Sequence, residues 1–272
     1  AIVAAPSAPC GSCPSCALGL ENLCDRIDGT TRTWGAFAEQ LRVPAHGVRR
    51  NVCLRPPGLD PREAALLEPL ACVVNGVDRL DLTRVETAVV MGAGPIGLLF
   101  VALLARRGVP RVLVAGRHAA RLDAALAMGA SDVIDLDAAA TSDPAALARA
   151  VRAHLPHGAC AVIECVGRPE AWQGAIASAR KGGEVLLYGG CAAGTRVPVD
   201  AHRLHYDALT LKGAFHFTPS DVRASLDLLT RRALPLARLV TGEVPLERLQ
   251  EALDAVGRGE ALKLAIVPGR SE

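Results

Sequence analysis

The chain has 272 residues, 50% of them hydrophobic and 21% charged, enough to bury roughly three quarters of its unfolded surface, which argues against disorder. Thirty basic residues against 28 acidic ones leave a formal charge of +2. That field is too weak to gather phosphate backbones, and no basic run carries interleaved aromatics, so nucleic acid is not an expected partner.

With four Phe, two Trp and two Tyr, the core must be built of Ala, Val and Leu, which suits helices laid on a parallel sheet. An α/β fold is expected. The opening AIVAAPSAPCG lacks the basic and apolar regions of a secretion signal and reads as a strand entered midway. The longest apolar run, Leu98 to Ala105, is closed by Arg106 and Arg107 and falls well short of the roughly 20 residues a membrane span needs. Neither a membrane nor a membrane partner is expected.

Nine cysteines without a secretion signal point to a reducing compartment, the cytoplasm, where thiols bind metal or sit buried. Cys10, Cys13, Cys16 and Cys24 follow the pattern C-x2-C-x2-C-x7-C, with Gly11, Ser12, Pro14 and Ser15 as spacers. Four thiolates on a short loop satisfy a tetrahedral Zn²⁺ with no open position, a structural site. An iron–sulfur cluster shares the first three cysteines, but there the fourth follows after three residues and precedes Pro; here seven residues intervene and Asp25 follows Cys24. Cys53, Cys72, Cys160 and Cys191 are isolated in the sequence and read as small buried hydrophobes.

From Thr87 the pattern changes to a Val-rich strand, a glycine turn and a helical run, TAVVMGAGPIGLLFVALLARRG. Gly92, Gly94 and Gly97 form G-x-G-x-x-G: the first allows the tight turn, the second admits a pyrophosphate to the backbone, and the third lets helix pack on strand. The diphosphate then meets a helix N-terminus. Beyond it come strand 111–116, helix AARLDAALAMG, strand 132–136, helix 143–154, strand CAVIECVG, helix PEAWQGAIASAR, strand GEVLLYGG and a last strand near 209–215. Six strands alternating with helices make a doubly wound parallel sheet of Rossmann type. Thr218 and Asp221 flank Pro219 to start the helix PSDVRASLDLLTRRAL. Trp34 and Trp172 read as packing residues, and His118, His154, His157, His202 and His205 as solvated.

NAD-binding sheets place an acid about 20 residues beyond the fingerprint to hold the ribose 2′-hydroxyl. Here that position is Gly116, followed by Arg117 and, one helical turn on, Arg121. With no carboxylate to repel it and guanidinium groups to accept it, a 2′-phosphate is tolerated, so NADP(H) is expected and NAD(H) remains possible. The alternative is Arg117 as a solvated loop charge with relaxed selectivity. A mononucleotide site would carry G-x-x-x-x-G-K-[ST], which does not occur.

In this order, the four-cysteine lobe, WGAFAEQLRVPAH, ALLEPLACVVNGV, VMGAGPIGLL, ECVG at 164–167, GAFHF at 213–217 and the closing VPLERLQEALDAV resemble the zinc-containing medium-chain dehydrogenase/reductases, the branch of sorbitol and threonine dehydrogenases. The resemblance covers nearly all of the chain. It implies a coenzyme domain over 68–213 and a partial, GroES-like catalytic domain assembled from 1–67 and 214–272. WGAFAEQLRVPAH stands where the family has a strand leading into the coenzyme domain. Pro95, Ile96, Cys165, Val166, Gly189 and Phe215 match positions that line the family's coenzyme. His216 and Phe217 fall where polyol-oxidising relatives show an Arg and an aromatic near substrate, and a histidine does not reproduce bidentate guanidinium contacts; a loop histidine is the plainer reading.

The resemblance further implies an NAD(P)-dependent alcohol or polyol dehydrogenase acting on a small molecule, commonly as a homodimer or homotetramer. A second, open zinc there polarises the substrate oxygen. Glu68 matches an acidic residue at that zinc; read alone, it is a carboxylate at a helix start, favoured by the dipole. The family's other zinc ligands, a Cys and a His-Glu pair, precede the four-cysteine lobe. No Cys precedes Cys10, and none of the seven histidines is followed by Glu. One protein ligand is too few for a dedicated zinc, so the expectation is an amino-terminally incomplete dehydrogenase, with a truncated, inactive nucleotide-binding relative as the alternative.

Overall fold

The computed structural model describes residues 1–27, 33, 35–137 and 143–269. Trp34 lies outside them. The chain divides into two compact units, Ala1–Asn75 with Phe215–Glu272, and Gly76–Ala214. The first division falls inside the helix Leu67–Val77 and not at its start, where the sequence reading put it, because most of that helix packs with the first unit.

The first unit opens with β1 (Ile2–Ala4), the one-turn helix α1 (Pro14–Ala17), α2 (Ala45–Asn51) and β2 (Val52–Leu54). Strand β1 pairs antiparallel with β2, Val3 opposite Cys53. Residues 35–44 form no strand, which corrects the reading of WGAFAEQLRVPAH. Its described side chains are largely exposed, with no alternating buried face to hold a strand, and Pro44 caps α2. Then come α3 (Pro61–Ala64), with Asp60 accepting from the Arg62 N–H at its N-cap, and α4 (Leu67–Val77).

The second unit holds β3 (Thr87–Met91), α5 (Pro95–Arg106), β4 (Arg111–Gly116), α6 (Ala119–Ala127), β5 (Asp132–Asp135), α7 (Pro144–His154), β6 (Ala159–Glu164), α8 (Pro169–Ser178), β7 (Ala179–Leu187), α9 (Ala201–Tyr206) and β8 (Thr210–Gly213). All six strands are parallel, in the order β5-β4-β3-β6-β7-β8, the doubly wound sheet expected from the sequence. The strand order reverses between β3 and β6, and ligands of such sheets bind beyond the carboxyl ends at that point. Ala88 to Met91 and the whole of β6 are buried, as strands covered on both faces must be. In α5, Gly97 to Leu104 are all buried; each Leu among them contributes roughly 1.5–3 kcal/mol by leaving water.

Helix α8 ends sooner than PEAWQGAIASAR suggests. The Ser178 hydroxyl turns back onto the Gly174 carbonyl at 2.7 Å, and Ala179 is already extended. Strand β7 therefore starts at Ala179, passes an irregularity opposite Ala159 to Ala161, and ends at Leu187, leaving Tyr188 to Gly190 as loop.

The chain returns to the first unit through α10 (Pro219–Thr230), β9 (Val240–Pro245), α11 (Leu249–Gly257) and β10 (Lys263–Val267), with β9 and β10 parallel. Thr218 and Asp221 form the anticipated capping box, and Asp221 also accepts from Asn75 Nδ2 at 2.9 Å, tying α10 to α4. Among the described residues no helix is long and apolar enough to cross a membrane.

Candidate functional site

The four cysteines converge. Their sulfurs lie within 4.8 Å of one another, and Cys13 Sγ is 3.9 Å from Cys24 Sγ. Two sulfurs on one tetrahedral zinc with bonds of about 2.3 Å stand about 3.8 Å apart, so the cluster fits that ion with little adjustment. Gly11, at φ 77°, turns the loop. Cys13 caps α1 and accepts the Cys16 N–H, while Ser12 and Cys10 direct their N–H groups to Cys10 and Cys24 sulfurs. The Ser12 N–H holds the Cys10 thiol down to about 6, whereas burial pushes Cys16 up to about 12 and raises Cys24. Ile27 is the buried hydrophobe that shares this small core.

In the second unit, the carboxyl ends of β3, β4 and β6 frame a cavity of about 400 Å³. Gly92, at φ 105°, makes the turn after β3, and its N–H continues the ladder to the Ala115 carbonyl. A Cβ on Gly97 would lie 1.9 Å from the Gly92 carbonyl oxygen, so only glycine lets α5 seat there. A Cβ on Gly94 would meet nothing within 4 Å. That open space stands at the N-cap of α5, where no side chain caps the first amides, an arrangement suited to an anion.

Of the sequence-predicted coenzyme residues, Gly92, Gly94, Gly116, Arg117, Arg121, Cys165 and Val166 line this cavity. Pro95 occupies the first turn of α5 followed by Ile96; neither they nor Gly97 line it. Gly189 packs elsewhere: a Cβ there would sit 2.3 Å from the Gly167 nitrogen, and its carbonyl accepts from Trp172 Nε1 at 2.8 Å. The Gly116 position admits no side chain, since a Cβ would meet that of Ala93 at 2.7 Å. Arg121 Nε is buried with no hydrogen-bond partner among the described residues. Phe215 belongs to the first unit, half exposed, its carbonyl accepting from Asn22 Nδ2 at 2.9 Å.

Several residues went unread. Asp137 accepts from Arg117 Nη1 at 3.4 Å and from the His118 N–H at 2.7 Å. His118, read as solvated, lines the cavity at φ 68°, and Arg168 lines it too. His154, also read as solvated, bonds Asp132 at 2.7 Å. Buried Glu164 receives the N–H groups of Val166 and Gly167 on Oε1, while burial raises its pKa. The contacts these residues make had no local sequence signal, because each depends on which segments become neighbours in the fold.

The first unit holds a second cluster. Glu68, Cys72 and His216 bring one donor atom each within 4.8 Å of one another. Cys72 is thus no isolated buried hydrophobe: it is half-buried, its Sγ 3.5 Å from Glu68 Oε1. Cys53 and Cys191 are half-buried as well, and Cys160 alone of the four is buried. His216 bonds Ser7 Oγ through Nε2 at 2.6 Å. Phe217, expected beside substrate, is 1% exposed and packs on the His216 ring at 4.1 Å, a core residue.

Residues 95–231 match the family described as zinc-binding dehydrogenase. The chain is 32% identical over 257 residues to D-altritol 5-dehydrogenase of Agrobacterium fabrum, covering 91% of this chain and 70% of that protein. It is 28% identical over 270 residues to sorbitol dehydrogenase of Bacillus subtilis, covering 97% and 73%. Among solved structures, a zinc-binding dehydrogenase of Sinorhizobium meliloti 1021 bound to NADP superposes with a TM-score of 0.85 at 30% identity, covering 98% of this chain and 76% of that one.

Proposed function

We propose that this chain, which belongs to the zinc-binding dehydrogenase family, moves hydride between a secondary alcohol or polyol and a nicotinamide coenzyme, with NADP(H) preferred. Named relatives oxidise alditols, and a structural neighbour carries NADP. The observation that carries the coenzyme preference is the β4 end. Gly116 itself carries no carboxylate, the nearby Asp137 being engaged by Arg117 and the His118 N–H, and Arg121 offers a buried Nε without a partner among the described residues at the same cavity. A 2′-phosphate would satisfy that nitrogen and draw on Arg117, whose present partner is Asp137.

The coenzyme diphosphate would lie over Gly92 and Gly94 against the first amides of α5, where the helix dipole favours negative charge. Cys165 and Val166 would line the path onward. Cys10, Cys13, Cys16 and Cys24 would hold a structural zinc, which closes a lobe whose described apolar cluster is small. Glu68 would serve a second zinc, which when bound polarises the substrate oxygen and lowers the alcohol's pKa. His216, clustered with Glu68 and bonded to Ser7 Oγ, would stand on the substrate side. A homo-oligomer in the cytoplasm completes the reading.

Fluorescence titration of the chain with NADPH and with NADH tests the preference, paired with nicotinamide absorbance on a panel of secondary alcohols and polyols. NADPH should bind at least tenfold tighter. Equal or tighter binding of NADH would overturn the preference, and coenzyme binding with no alcohol-dependent reduction would overturn the dehydrogenase reading.

A further inference from the structure

Thr87, Cys160 and Arg180 meet at the amino ends of β3, β6 and β7, opposite the carboxyl ends that frame the large cavity. Strand register brings the sulfur to an opening. β6 pairs with β7 at Ala159 opposite Ala179 and again at Ala161 opposite Glu184, so residues 180–183 bulge out beside Cys160, with Gly182 at φ 66°. Such a bulge breaks the pairing locally and re-aims side chains. Next to it Cys160, Arg180, Arg84, Asp81 and Glu184 border a cavity of about 20 Å³. One water needs about 10–15 Å³ of such space, so only a molecule of that scale enters.

The three side chains are arranged to hold a thiolate. Thr87 Oγ1 accepts the Cys160 N–H at 3.1 Å, which turns its own proton toward Cys160 Sγ at 3.4 Å. Arg180 donates from Nε to the same sulfur at 3.1 Å, its guanidinium steadied by Nη1 on the Lys181 carbonyl at 3.0 Å. Burial of the thiol opposes ionisation, yet the hydroxyl and the guanidinium prevail and the Cys160 pKa is lowered. The carboxylates at the cavity are occupied: Glu184 by Lys212 Nζ at 3.0 Å and by the Asp81 N–H at 3.2 Å, Asp81 by Thr83 Oγ1 at 2.6 Å. We propose that Cys160, with Arg180 and Thr87, is a modification site for hydrogen peroxide. The sulfur attacks one peroxide oxygen, an S–O bond forms as the O–O bond breaks, and the departing hydroxide takes the proton the thiol gave up and leaves as water. Sulfur is oxidised by two electrons to a sulfenic acid and the peroxide is reduced. Arg180 beside the sulfur also faces the negative charge that builds on the departing oxygen. A disulfide such as oxidised glutathione is too large for the cavity. The site stands on three strands of the second unit and does not rest on the function proposed above.

Treating the whole chain with hydrogen peroxide in the presence of dimedone, which traps sulfenic acids, and locating the adducts by peptide mass spectrometry tests this. Cys160 should be labelled about tenfold or more faster than Cys53 and Cys191, although both are more exposed. Cumene hydroperoxide, too bulky for the cavity, should not show that advantage. Arg180→Met should slow labelling of Cys160 about tenfold and leave Cys53 and Cys191 unchanged, with circular dichroism confirming the fold; Arg180→Lys, which keeps a cation, should recover part of the rate. Labelling of Cys160 no faster than that of Cys53 and Cys191 would overturn the site, and this comparison within the unaltered protein holds whether or not a variant folds. An unchanged Cys160 rate in folded Arg180→Met would overturn it as well.

Discussion

The carbonyl oxygen of Gly92 occupies the space a side chain at Gly97 would need, with an ideal Cβ only 1.9 Å from it. The turn and the helix that follows it are locked together by this contact, and the obstructing atom is backbone, which cannot rotate away. Gly94, two residues from the turn, has nothing within 4 Å of its Cβ direction and an ordinary φ of −79°.

These two glycines should therefore respond differently to alanine. Gly97→Ala should destabilise the protein by roughly 1–3 kcal/mol as an overpacked contact, read by urea denaturation. Gly94→Ala should leave stability nearly unchanged and weaken NADPH binding about tenfold or more, because the methyl group fills space reserved for the diphosphate. Equal stability loss in both variants would refute the assignment of Gly94 to a ligand cradle.

Arg121→Ala should weaken NADPH binding by about tenfold, the size of one lost charge-assisted contact, with NADH binding unaltered. Asp137→Asn should act in the opposite direction by releasing Arg117 from its ion pair. Parallel fluorescence titrations with both coenzymes check this; a loss shared equally by NADPH and NADH would show that the guanidinium serves structure and not the 2′-phosphate.

Glu164 is fully buried, and burial raises its pKa above the ordinary 4.5, although the Gly167 and Val166 amides oppose the shift. For an acid whose folded pKa exceeds its unfolded one, the contribution to stability is full below the unfolded value and is lost as pH rises through the folded value. Stability of the unaltered protein relative to Glu164→Gln should thus decline as pH rises from below 4.5 toward neutrality. Denaturant midpoints of both proteins across that interval give the difference; a flat or rising difference would contradict the sign.

Cys24→Ser should cost one equivalent of zinc, since three sulfurs no longer close the sphere. Structural zinc supplies on the order of 10 kcal/mol to small lobes, and among the described residues the hydrophobe that shares the cysteines' buried cluster is Ile27. Limited proteolysis should cut the region around residues 10–27 many times faster in the variant, while NADPH binding persists. An unchanged cleavage pattern would mean that the lobe stands without metal.

What could be read from the chain without coordinates was whatever is local. The cysteine lobe places its four ligands on one short loop, and the glycine fingerprint is a turn whose steric demands fall within six residues, so spacing alone conveyed both. The six strands were legible because buried parallel strands are continuous Val, Ile and Ala runs between amphipathic helices. Strand ends were less so: β7 begins where Ser178 turns back on its own helix, a hydrogen bond that no periodicity reports. The segment 35–44 resembled a strand but had no partner face to bury. Only tertiary structure could bring Cys72 and His216 to Glu68, or Asp137 to Arg117, or bury Phe217. Those meetings depend on chain segments far apart in sequence, and the free energy that selects them comes from the packing of whole elements, which no single stretch of residues encodes.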